Sequence, residues 1–385
     1  MRILNICAYT WAIGGPARII FDHTTAALKA GHKVDILSPA AANDVIYPVP
    51  AGARVVVCLR TEPVSRFFPE FSIELWDFLK KNSQNYDIIH CHGIWHFGSV
   101  APFLIKNSPA KVITIHGLLD KWALAQGYWK KQIFGWLFQK RFLRQAALIQ
   151  INNRDERADL SHFLGFEHPN VKIIPNGMHL AELMDLPPKG GFRAAHNLPA
   201  NVQIVLFMGR LHIKKGLDLL LPAFAKYAQN HPDVVLVLAG PDDGYQAEAE
   251  RFIAQNKLET KILLVGMLTG EAKKAALADA TLFALPSYSE GFSIAALEAM
   301  AAGLPALVSD RIGFDGTVAQ YHAAHEVALT VEGVYEGLQK ILENLDYQRE
   351  IAQNAQRMVQ SLYDIDVVAA DLLNEFKKIV PHKPQ

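Results

Sequence analysis

Two glutamates, Glu290 and Glu298, lie eight positions apart where a predicted strand is followed by a turn and a helix. The strand covers residues 281–287, and the alanine-rich helix is expected to stop at Gly303. A helix N-terminus after a glycine turn leaves backbone N–H groups that attract phosphate. Two carboxylates beside them would accept hydrogen bonds from hydroxyls. The pattern indicates a ligand with phosphates and sugar hydroxyls, such as a sugar nucleotide.

Two basic residues, Arg210 and Lys215, lie on a second predicted loop, between a strand at residues 203–209 and a helix that begins near Leu217. The planar guanidinium group of arginine and the compact charge of lysine complement each other on phosphate oxygens. Such charges stabilise a diphosphate leaving group as its bond breaks. A solvated basic loop is the alternative, and the glutamate pair in the same half of the chain favours phosphate binding.

Two further candidates lie in the first half of the chain. Gly14 and Gly15 follow a strand at residues 3–9, and glycines allow a close approach of backbone to a phosphate or sugar. The loop lacks the G-x-G-x-x-G spacing of dinucleotide sites, and an ordinary turn is the alternative. His116 ends a strand predicted at residues 111–117, where it would hydrogen-bond a sugar hydroxyl or the reaction centre. A structural histidine is the other interpretation.

A group of potential metal ligands lies upstream of His116, at His90, Cys91, His92 and His96. On a strand, His90 and His92 point to one face and Cys91 to the other. Zinc sites usually need three or four convergent ligands, and the rest of the sequence offers no second pair at a matching spacing. We therefore predict no metal site.

The elements that position these residues form two series of short apolar strands separated by helices. Near-continuous apolar strands of this kind indicate parallel sheets covered on both faces. Twelve strands in one sheet would be unusual, so we predict an α/β protein with two doubly wound sheets that face a central cleft. The strands are predicted at residues 3–9, 33–38, 54–59, 88–92, 111–117, 148–152, 171–176, 203–209, 234–240, 262–266, 281–287 and 305–309.

Turn residues concentrate around residues 185–201 and place the domain boundary there. We predict domains at residues 1–185 and 186–365, with a C-terminal helix, residues 366–385, that packs back on the first domain. Ligands of doubly wound sheets bind beyond the carboxyl ends of the strands, where the candidate residues lie.

Aromatic and basic residues alternate over residues 121–144. Such a helix can bind to an anionic membrane surface. More often the aromatic residues form the core face of a helix that lies on a sheet, with the lysines in water. The core interpretation is favoured, and membrane contact stays open as the alternative.

The composition sets further limits on function. Lys and Arg together number 38, as do Asp and Glu, so no overall field favours nucleic acid. Cys7, Cys58 and Cys91 lie in apolar runs, which suits buried, reduced thiols. The N-terminus does not resemble a signal peptide, and no apolar run approaches the roughly 18–20 residues of a membrane span. We expect a cytoplasmic protein, with the inner face of the membrane as the site of any peripheral contact.

Taken in order, these motifs resemble those of the family-4 retaining glycosyltransferases, which have the two-domain GT-B fold. The resemblance covers most of the chain to about Asp310. It rests on the residue runs Gly14-Gly15-Pro16, Gly31-His32-Lys33-Val34, Asp87-Ile88-Ile89-His90-Cys91-His92, Ile115-His116-Gly117, Ile174-Pro175-Asn176-Gly177, Gly209-Arg210-Leu211, Lys215-Gly216-Leu217 and Glu290 to Pro305.

The resemblance implies a role for each charged candidate. Arg210 and Lys215 would bind the donor diphosphate, and both are implied catalytic residues. Glu298 would bind the ribose hydroxyls. Glu290 would contact the transferred sugar, without being assigned as a nucleophile.

The resemblance also implies donor contacts from uncharged groups. Gly14 and Gly15 would close over the phosphates, and Gly291 and Phe292 would offer backbone N–H groups near the sugar. His116 would lie beside the donor sugar as a further catalytic residue.

The implied reaction transfers a sugar from a nucleotide-sugar donor to a saccharide or lipid-linked saccharide, without a metal or other cofactor. The anomeric configuration would be retained by a front-face path in which the leaving phosphate helps to deprotonate the acceptor. Residues 115–124 resemble members that build bacterial cell-surface polysaccharides.

The alternatives to a glycosyltransferase are an inactive sugar-nucleotide-binding scaffold or another GT-B enzyme, a phosphorylase or an epimerase. After Asp310 the sequence departs from the family, because Arg311 to Thr317 replace the usual paired-glycine turn and glutamate.

Overall fold

The computed structural model describes residues 1–7, 9, 11, 15–44, 46–125 and 127–380. The chain divides into two compact units: unit 1 contains residues 1–178 and the chain from Tyr363 onward, and unit 2 contains residues 179–362. Within unit 1, the Met178 N–H donates to Tyr363 O and the Ile365 N–H donates to Met178 O, both at 3.0 Å. This pairing joins the two ends of the unit where the chain leaves it and returns.

Unit 1 is built on a seven-stranded parallel sheet. Its strands are β1 (Arg2–Cys7), β2 (Lys33–Ala40), β3 (Arg54–Leu59), β4 (Ile88–His92), β5 (Ala110–Thr114), β6 (Leu148–Ile151) and β7 (Val171–Ile173). They lie in the order β3-β2-β1-β4-β5-β6-β7. All residues of β4 and β6 are buried, as expected of parallel strands covered on both faces.

α-Helices lie in the described connections between these strands. They are α1 (Gly15–Lys29), α2 (Ile73–Asn82), α3 (Phe97–Val100), α4 (Lys121–Ala125), α5 (Tyr128–Phe134), α6 (Lys140–Gln145) and α7 (Arg154–Leu164). A π-helical turn, Gly135–Gln139, joins α5 to α6.

Unit 2 is built on a second parallel sheet, of six strands. They are β8 (Gln203–Met208), β9 (Val234–Ala239), β10 (Ile262–Gly266), β11 (Leu282–Leu285), β12 (Ala306–Val308) and β13 (His325–Glu326). Their order is β10-β9-β8-β11-β12-β13. The two doubly wound parallel sheets confirm the predicted fold class. Strand β13 was not predicted, because two residues are too few to show a periodic pattern.

The helices of unit 2 flank its sheet. They are α8 (Ala181–Met184), α9 (Gly191–Ala195), α10 (Leu217–Ala228), α11 (Gln246–Gln255), α12 (Gly270–Asp279), α13 (Ile294–Ala301), α14 (Thr317–Tyr321), α15 (Val331–Leu342) and α16 (Leu345–Leu362).

The last helix, α17 (Ile365–Ile379), belongs to unit 1. Its residues Leu372 and Phe376 are buried in one cluster with Ile3 of β1 and Ile88 of β4. The side chain of Asp364 caps the helix by accepting a hydrogen bond from the Asp366 N–H at 2.9 Å.

Several strands end before the residue predicted from the sequence. The strand predicted at residues 111–117 ends at Thr114, because His116 and Gly117 have left-handed backbone conformations, with φ of 57° and 73°. His116 therefore lies on a turn after the strand and not on the strand itself.

Cys7, Cys58 and Cys91 are buried thiols, as predicted. Burial raises the pKa of each to about 12. Across the described ranges, the structure contains no helix with the length and apolar character to cross a bilayer.

Candidate active site

The loops after β8 and β11 are in contact at the carboxyl ends of the second sheet. The Tyr288 N–H donates a hydrogen bond to Lys214 O at 2.9 Å. Gly216, with φ of 72°, lies so close that a Cβ atom there would be 2.0 Å from Pro286 O. Only glycine fits this position, both for its backbone conformation and for the space available. The contact brings Lys215 to Glu290.

Lys215 and Glu290 form an ion pair in which Nζ lies 2.6 Å from Oε1. The Ser287 hydroxyl donates to the same oxygen at 2.7 Å. The side chains of Lys215 and Glu290 are only 16% and 10% exposed. Two residues to which the family resemblance assigns different parts of a ligand are therefore in direct contact.

Arg210 lies on the same loop as Lys215 and is largely exposed. One of its guanidinium nitrogens, Nη1, is 2.5 Å from the Oδ2 atom of Asp243, in the loop after β9. The two loops are held together because the Leu211 N–H donates to Pro241 O at 2.9 Å. An exposed pair of this kind contributes little to stability, so the guanidinium group can exchange its partner for a phosphate at small cost.

Glu298 lies on α13, whose start is capped by Ser293. Its Oε1 atom is 2.5 Å from the Nζ atom of Lys273, on α12. Sequence reasoning identified Glu298 and missed Lys273. Nothing in the run from Glu271 to Lys274 distinguishes Lys273 from its neighbour Lys274, because the contact joins two helices that are distant in sequence.

The segment that departs from the family pattern packs directly on the Glu290 turn. The Glu290 N–H donates to Arg311 O at 2.8 Å, and the Ser293 N–H donates to Ile312 O at 3.1 Å. A Cβ atom on Gly313, whose φ is 82°, would lie 2.6 Å from the carbonyl oxygen of Gly291.

Aromatic packing completes this contact, because the rings of Phe292 and Phe314 are 5.0 Å apart. The divergent residues thus support the turn that carries Gly291 and Phe292. This support was not predictable from the family pattern, since Phe314 has no place in that pattern.

The glycine loop of unit 1 is described only in part. Gly14 lies outside the described residues, and Gly15 is the first residue of α1. Gly15 is therefore at a helix N-terminus, where backbone N–H groups are available for an anion.

His116 is half-buried and lies next to a fully buried histidine, His92 at the end of β4. The Nε2 atom of His116 is 3.3 Å from the Nδ1 atom of His92, and the two rings stack. Burial, together with the nearby His23, lowers the pKa of His116 to about 3, so the imidazole is neutral at physiological pH. Its Nδ1 atom is buried and makes no hydrogen bond within the part of the chain that the structure describes.

His90 belongs to a chain of buried hydrogen bonds and has a structural role. Its Nε2 atom is 2.6 Å from Thr114 Oγ1, and the Thr114 hydroxyl donates to Gln150 Oε1 at 2.9 Å. The Gln150 amide in turn donates to Ile174 O at 2.9 Å. Because the Thr114 proton is used on Gln150, His90 must carry its own proton on Nε2.

The rings of His90 and His92 lie 3.9 Å apart, on one face of β4 as predicted. Among the described residues, no group of three or more His, Cys, Asp or Glu side chains is arranged to hold a metal ion.

A buried carboxylate that sequence reasoning missed supports the His116 turn. Glu156, on α7, accepts hydrogen bonds from the Asn152 backbone N–H at 2.7 Å and from its side-chain amide at 3.1 Å. It also accepts one from the backbone N–H of Gly117. Burial raises the pKa of Glu156 to about 7, although these hydrogen bonds oppose the shift.

Two family models match the chain. The one described as Glycosyltransferase Family 4 matches residues 13–182, and the one described as Glycosyl transferases group 1 matches residues 189–358.

Individual relatives span nearly the whole chain. A phosphatidyl-myo-inositol mannosyltransferase of Mycolicibacterium smegmatis is 24% identical over 390 residues, which are 98% of this chain and 94% of the relative. Sucrose-phosphate synthase of Thermosynechococcus elongatus has a similar structure, with a TM-score of 0.76, 22% identity and coverage of 98% and 99%. The HepE protein of Anabaena, solved with UDP and glucose, gives a TM-score of 0.75, 18% identity and coverage of 98% and 100%.

The two models leave little of the chain unmatched, and each lies over one of the two parallel sheets. The protein therefore belongs to the family-4, group 1 glycosyltransferases and has their GT-B fold.

Proposed function

We propose that the protein is a retaining glycosyltransferase that moves a sugar from a nucleotide-sugar donor to a saccharide or lipid-linked saccharide acceptor. The observation that carries the proposal is the Lys215–Glu290 pair, at 2.6 Å, in the contact between the loops after β8 and β11. Ligands of doubly wound sheets bind at this end of the strands. The pairing of Lys215 with Glu290 supports a site in which the lysine binds the phosphates and the carboxylate binds the sugar.

The proposed reaction breaks the bond between the anomeric carbon of the sugar and the donor diphosphate. Negative charge then accumulates on the diphosphate, where Lys215 and Arg210 stabilise it. No metal ion is required in this scheme, because the two cations supply the positive charge. The acceptor hydroxyl attacks from the same face that the diphosphate leaves, and a phosphate oxygen takes the hydroxyl proton. The anomeric configuration is retained.

Each remaining site residue has a proposed contact with the donor. Glu298 accepts hydrogen bonds from the ribose hydroxyls, and Lys273 orients its carboxylate until the donor arrives. The turn at Gly291 and Phe292 contacts the sugar, and Gly15 contacts the phosphates. The neutral His116 ring hydrogen-bonds a sugar hydroxyl through its buried Nδ1 atom.

The names of the relatives support the proposed class of donor and acceptor. HepE of Anabaena was solved with UDP and glucose, which supports a uridine nucleotide in the donor. The mycobacterial relative is named for mannosyl transfer to phosphatidyl-myo-inositol, which supports an acceptor attached to a lipid. A role in cell-surface polysaccharide or glycolipid synthesis suits both.

Thermal-shift measurements with UDP, GDP, ADP and their sugar conjugates test the proposal, because a ligand that binds only the folded protein raises the unfolding midpoint. One nucleotide series should give a clear shift, and Lys215→Ala and Arg210→Ala should lower it. Lys257→Ala is the control, since it removes an exposed lysine of unit 2. A shift that survives in both site variants would overturn the assignment.

Transfer assays complete the test, because they separate catalysis from binding. Native protein supplied with a nucleotide sugar and a lipid-linked saccharide acceptor should release the nucleotide and form a glycosylated acceptor with a retained anomeric configuration. Binding without release of the nucleotide would favour the inactive scaffold.

A further inference from the structure

The aromatic-basic segment, residues 121–144, contains one long helix. Helix α5, the π-helical turn Gly135–Gln139 and α6 are continuous, because the residues at both junctions, Gly135 and Lys140, keep right-handed helical dihedral angles. The chain is therefore helical from Tyr128 to Gln145. The side chain of Trp122, in α4, lies outside the described residues.

One face of this helix belongs to the core of unit 1, as the sequence predicted. The rings of Phe134 and Phe138 lie 5.3 and 5.9 Å from the ring of Phe68. Gly135 is buried, and a Cβ atom there would lie 3.1 Å from the Phe163 ring. This face supplies the apolar contacts that pack the helix on unit 1.

The opposite face is also apolar, and it is exposed. This outer face consists of Trp129, Ile133, Trp136 and Leu137, whose spacing places them on one side of a helix. The side chains of Trp129 and Trp136 are 77% and 78% exposed. For these residues the core interpretation is wrong. Contiguous exposed apolar surface of this kind marks an interaction site.

A second exposed aromatic side chain lies on a loop that packs on this helix. Phe67 is 87% exposed and directly precedes Phe68, whose ring packs on the inner face of the same helix. The loop at Phe67 is therefore adjacent to the helix that carries the outer face.

The charge around the outer face has one sign. Residues 121–144 contain six basic side chains and no acidic one, although the whole chain has equal numbers of both. Lys130 and Arg141 are exposed. Long basic side chains beside exposed tryptophans suit the boundary of an anionic bilayer, where the rings enter the headgroup layer and the charges meet lipid phosphates.

We propose that the outer face docks on the surface of an anionic phospholipid bilayer. Trp129 and Trp136 enter the headgroup region, while Lys130 and Arg141 bind its negative charge. A second copy of the chain is a poorer occupant, because a symmetric dimer would bring two segments with six positive charges each against one another.

The docking goes beyond the proposed transfer reaction and is independent of it. It would hold the protein at the surface where a lipid-linked acceptor is found. Since it can be measured without a donor or an acceptor, its failure is distinguishable from failure of the proposed function.

Vesicle flotation of the full chain tests the proposal. Vesicles of equal parts phosphatidylglycerol and phosphatidylethanolamine should bind the protein, and vesicles of phosphatidylcholine alone should bind it much less. High salt should weaken the binding, because it screens the basic side chains.

A Trp129→Ser, Trp136→Ser double variant should lower the affinity for anionic vesicles about tenfold or more, since two interfacial anchors are lost. A Lys130→Glu, Arg141→Glu variant should also bind anionic vesicles more weakly.

The control is a Met267→Ser, Leu345→Ser double variant, which removes two exposed apolar side chains of unit 2. It should bind vesicles like the native chain. Thermal unfolding of every variant, with and without UDP, verifies that the protein is folded and that its donor site is intact.

Three results would overturn the proposal. The first is equal binding of anionic vesicles by the native chain and the tryptophan variant, and the second is the absence of any binding by the native chain. The third is a dimer in sedimentation velocity that the tryptophan substitutions dissociate, because the outer face would then be an interface between copies. Loss of donor binding with intact vesicle binding would contradict only the proposed function.

Discussion

Lys215 Nζ lies 2.6 Å from Glu290 Oε1, and the same oxygen accepts a hydrogen bond from Ser287. Both charged side chains are mostly buried, where charges interact more strongly than in bulk water. In the proposed donor complex, a diphosphate that reaches Lys215 therefore competes with Glu290 for the ammonium group. The carboxylate would then weaken the binding of the leaving group, and it is also the group proposed to contact the sugar.

This competition makes a specific prediction for Glu290→Gln. The substitution removes a negative charge beside Lys215, so UDP should bind about threefold to tenfold more tightly. The sugar loses a charged contact, so the rate of transfer should fall by about 100-fold. Calorimetric titration with UDP and an assay of product formation measure the two effects. Glu259→Gln, an exposed position of unit 2, is the matched control. Weaker UDP binding together with an unchanged rate would contradict the prediction.

The proposed ribose contact of Glu298 is tested by comparing two ligands. Glu298→Ala should weaken UDP binding by about tenfold or more, because a hydrogen-bonded charged group is lost. Inorganic pyrophosphate contains no ribose, and its affinity should be unchanged. Titration calorimetry measures both. Glu271→Ala removes an exposed carboxylate at the start of α12 and is the control. Equal losses for UDP and pyrophosphate would place Glu298 at the phosphates.

Strands and helices with a strong apolar pattern were predictable from the sequence. The helix after Glu290 does end near Gly303, whose φ is 77° and whose N–H donates to Met300 O at 3.1 Å. Glycine is favoured there for its left-handed backbone, so a local rule was enough. The same applies to the two series of parallel strands, whose apolar runs follow from burial on both faces.

Contacts between elements that are distant in sequence were not predictable. Lys273 reaches Glu298 from another helix, and Glu156 reaches Gly117 from α7. Phe314 packs on Phe292 in a segment without a family counterpart. Each contact depends on side-chain geometry across the fold, on which the local pattern of apolar and polar residues carries no information.

Glu156 makes the stability of the protein depend on pH. Its pKa in the folded protein is raised from 4.5 to about 7, so folding favours the neutral carboxyl. The stabilisation this provides is complete below about pH 4.5 and is lost as the pH rises through 7. Glu156→Gln stays neutral throughout. The unfolding free energy of the variant, relative to that of the native protein, should therefore rise by on the order of 2–3 kcal/mol between pH 5 and pH 8.

Urea unfolding of both proteins at the two pH values measures this difference. The amide also alters the free energy of the hydrogen bonds with Asn152 and Gly117, but that contribution does not vary with pH. The sign of the change between the two pH values is therefore the decisive quantity. A difference that does not vary with pH, or that falls as the pH rises, would show that Glu156 is ionised in the folded protein at pH 5.

At Gly216 the site depends directly on the absence of a side chain. Gly216→Ala would place a Cβ atom 2.0 Å from Pro286 O, in a left-handed conformation with φ of 72°. Gly266→Ala is a matched control, because its φ is 69° and a Cβ atom there would have no neighbour within 4 Å.

The control should lose about 1 kcal/mol of unfolding free energy through backbone strain alone. Gly216→Ala should lose about 3 kcal/mol or more, since the two loops must also separate. That separation would displace Lys215 and its loop from the proposed phosphate site, so UDP affinity should fall in Gly216→Ala and stay unchanged in Gly266→Ala. Urea unfolding and UDP titration of the two variants measure both effects. Equal losses of stability and equal UDP affinities would mean that the contact between the loops does not position the site.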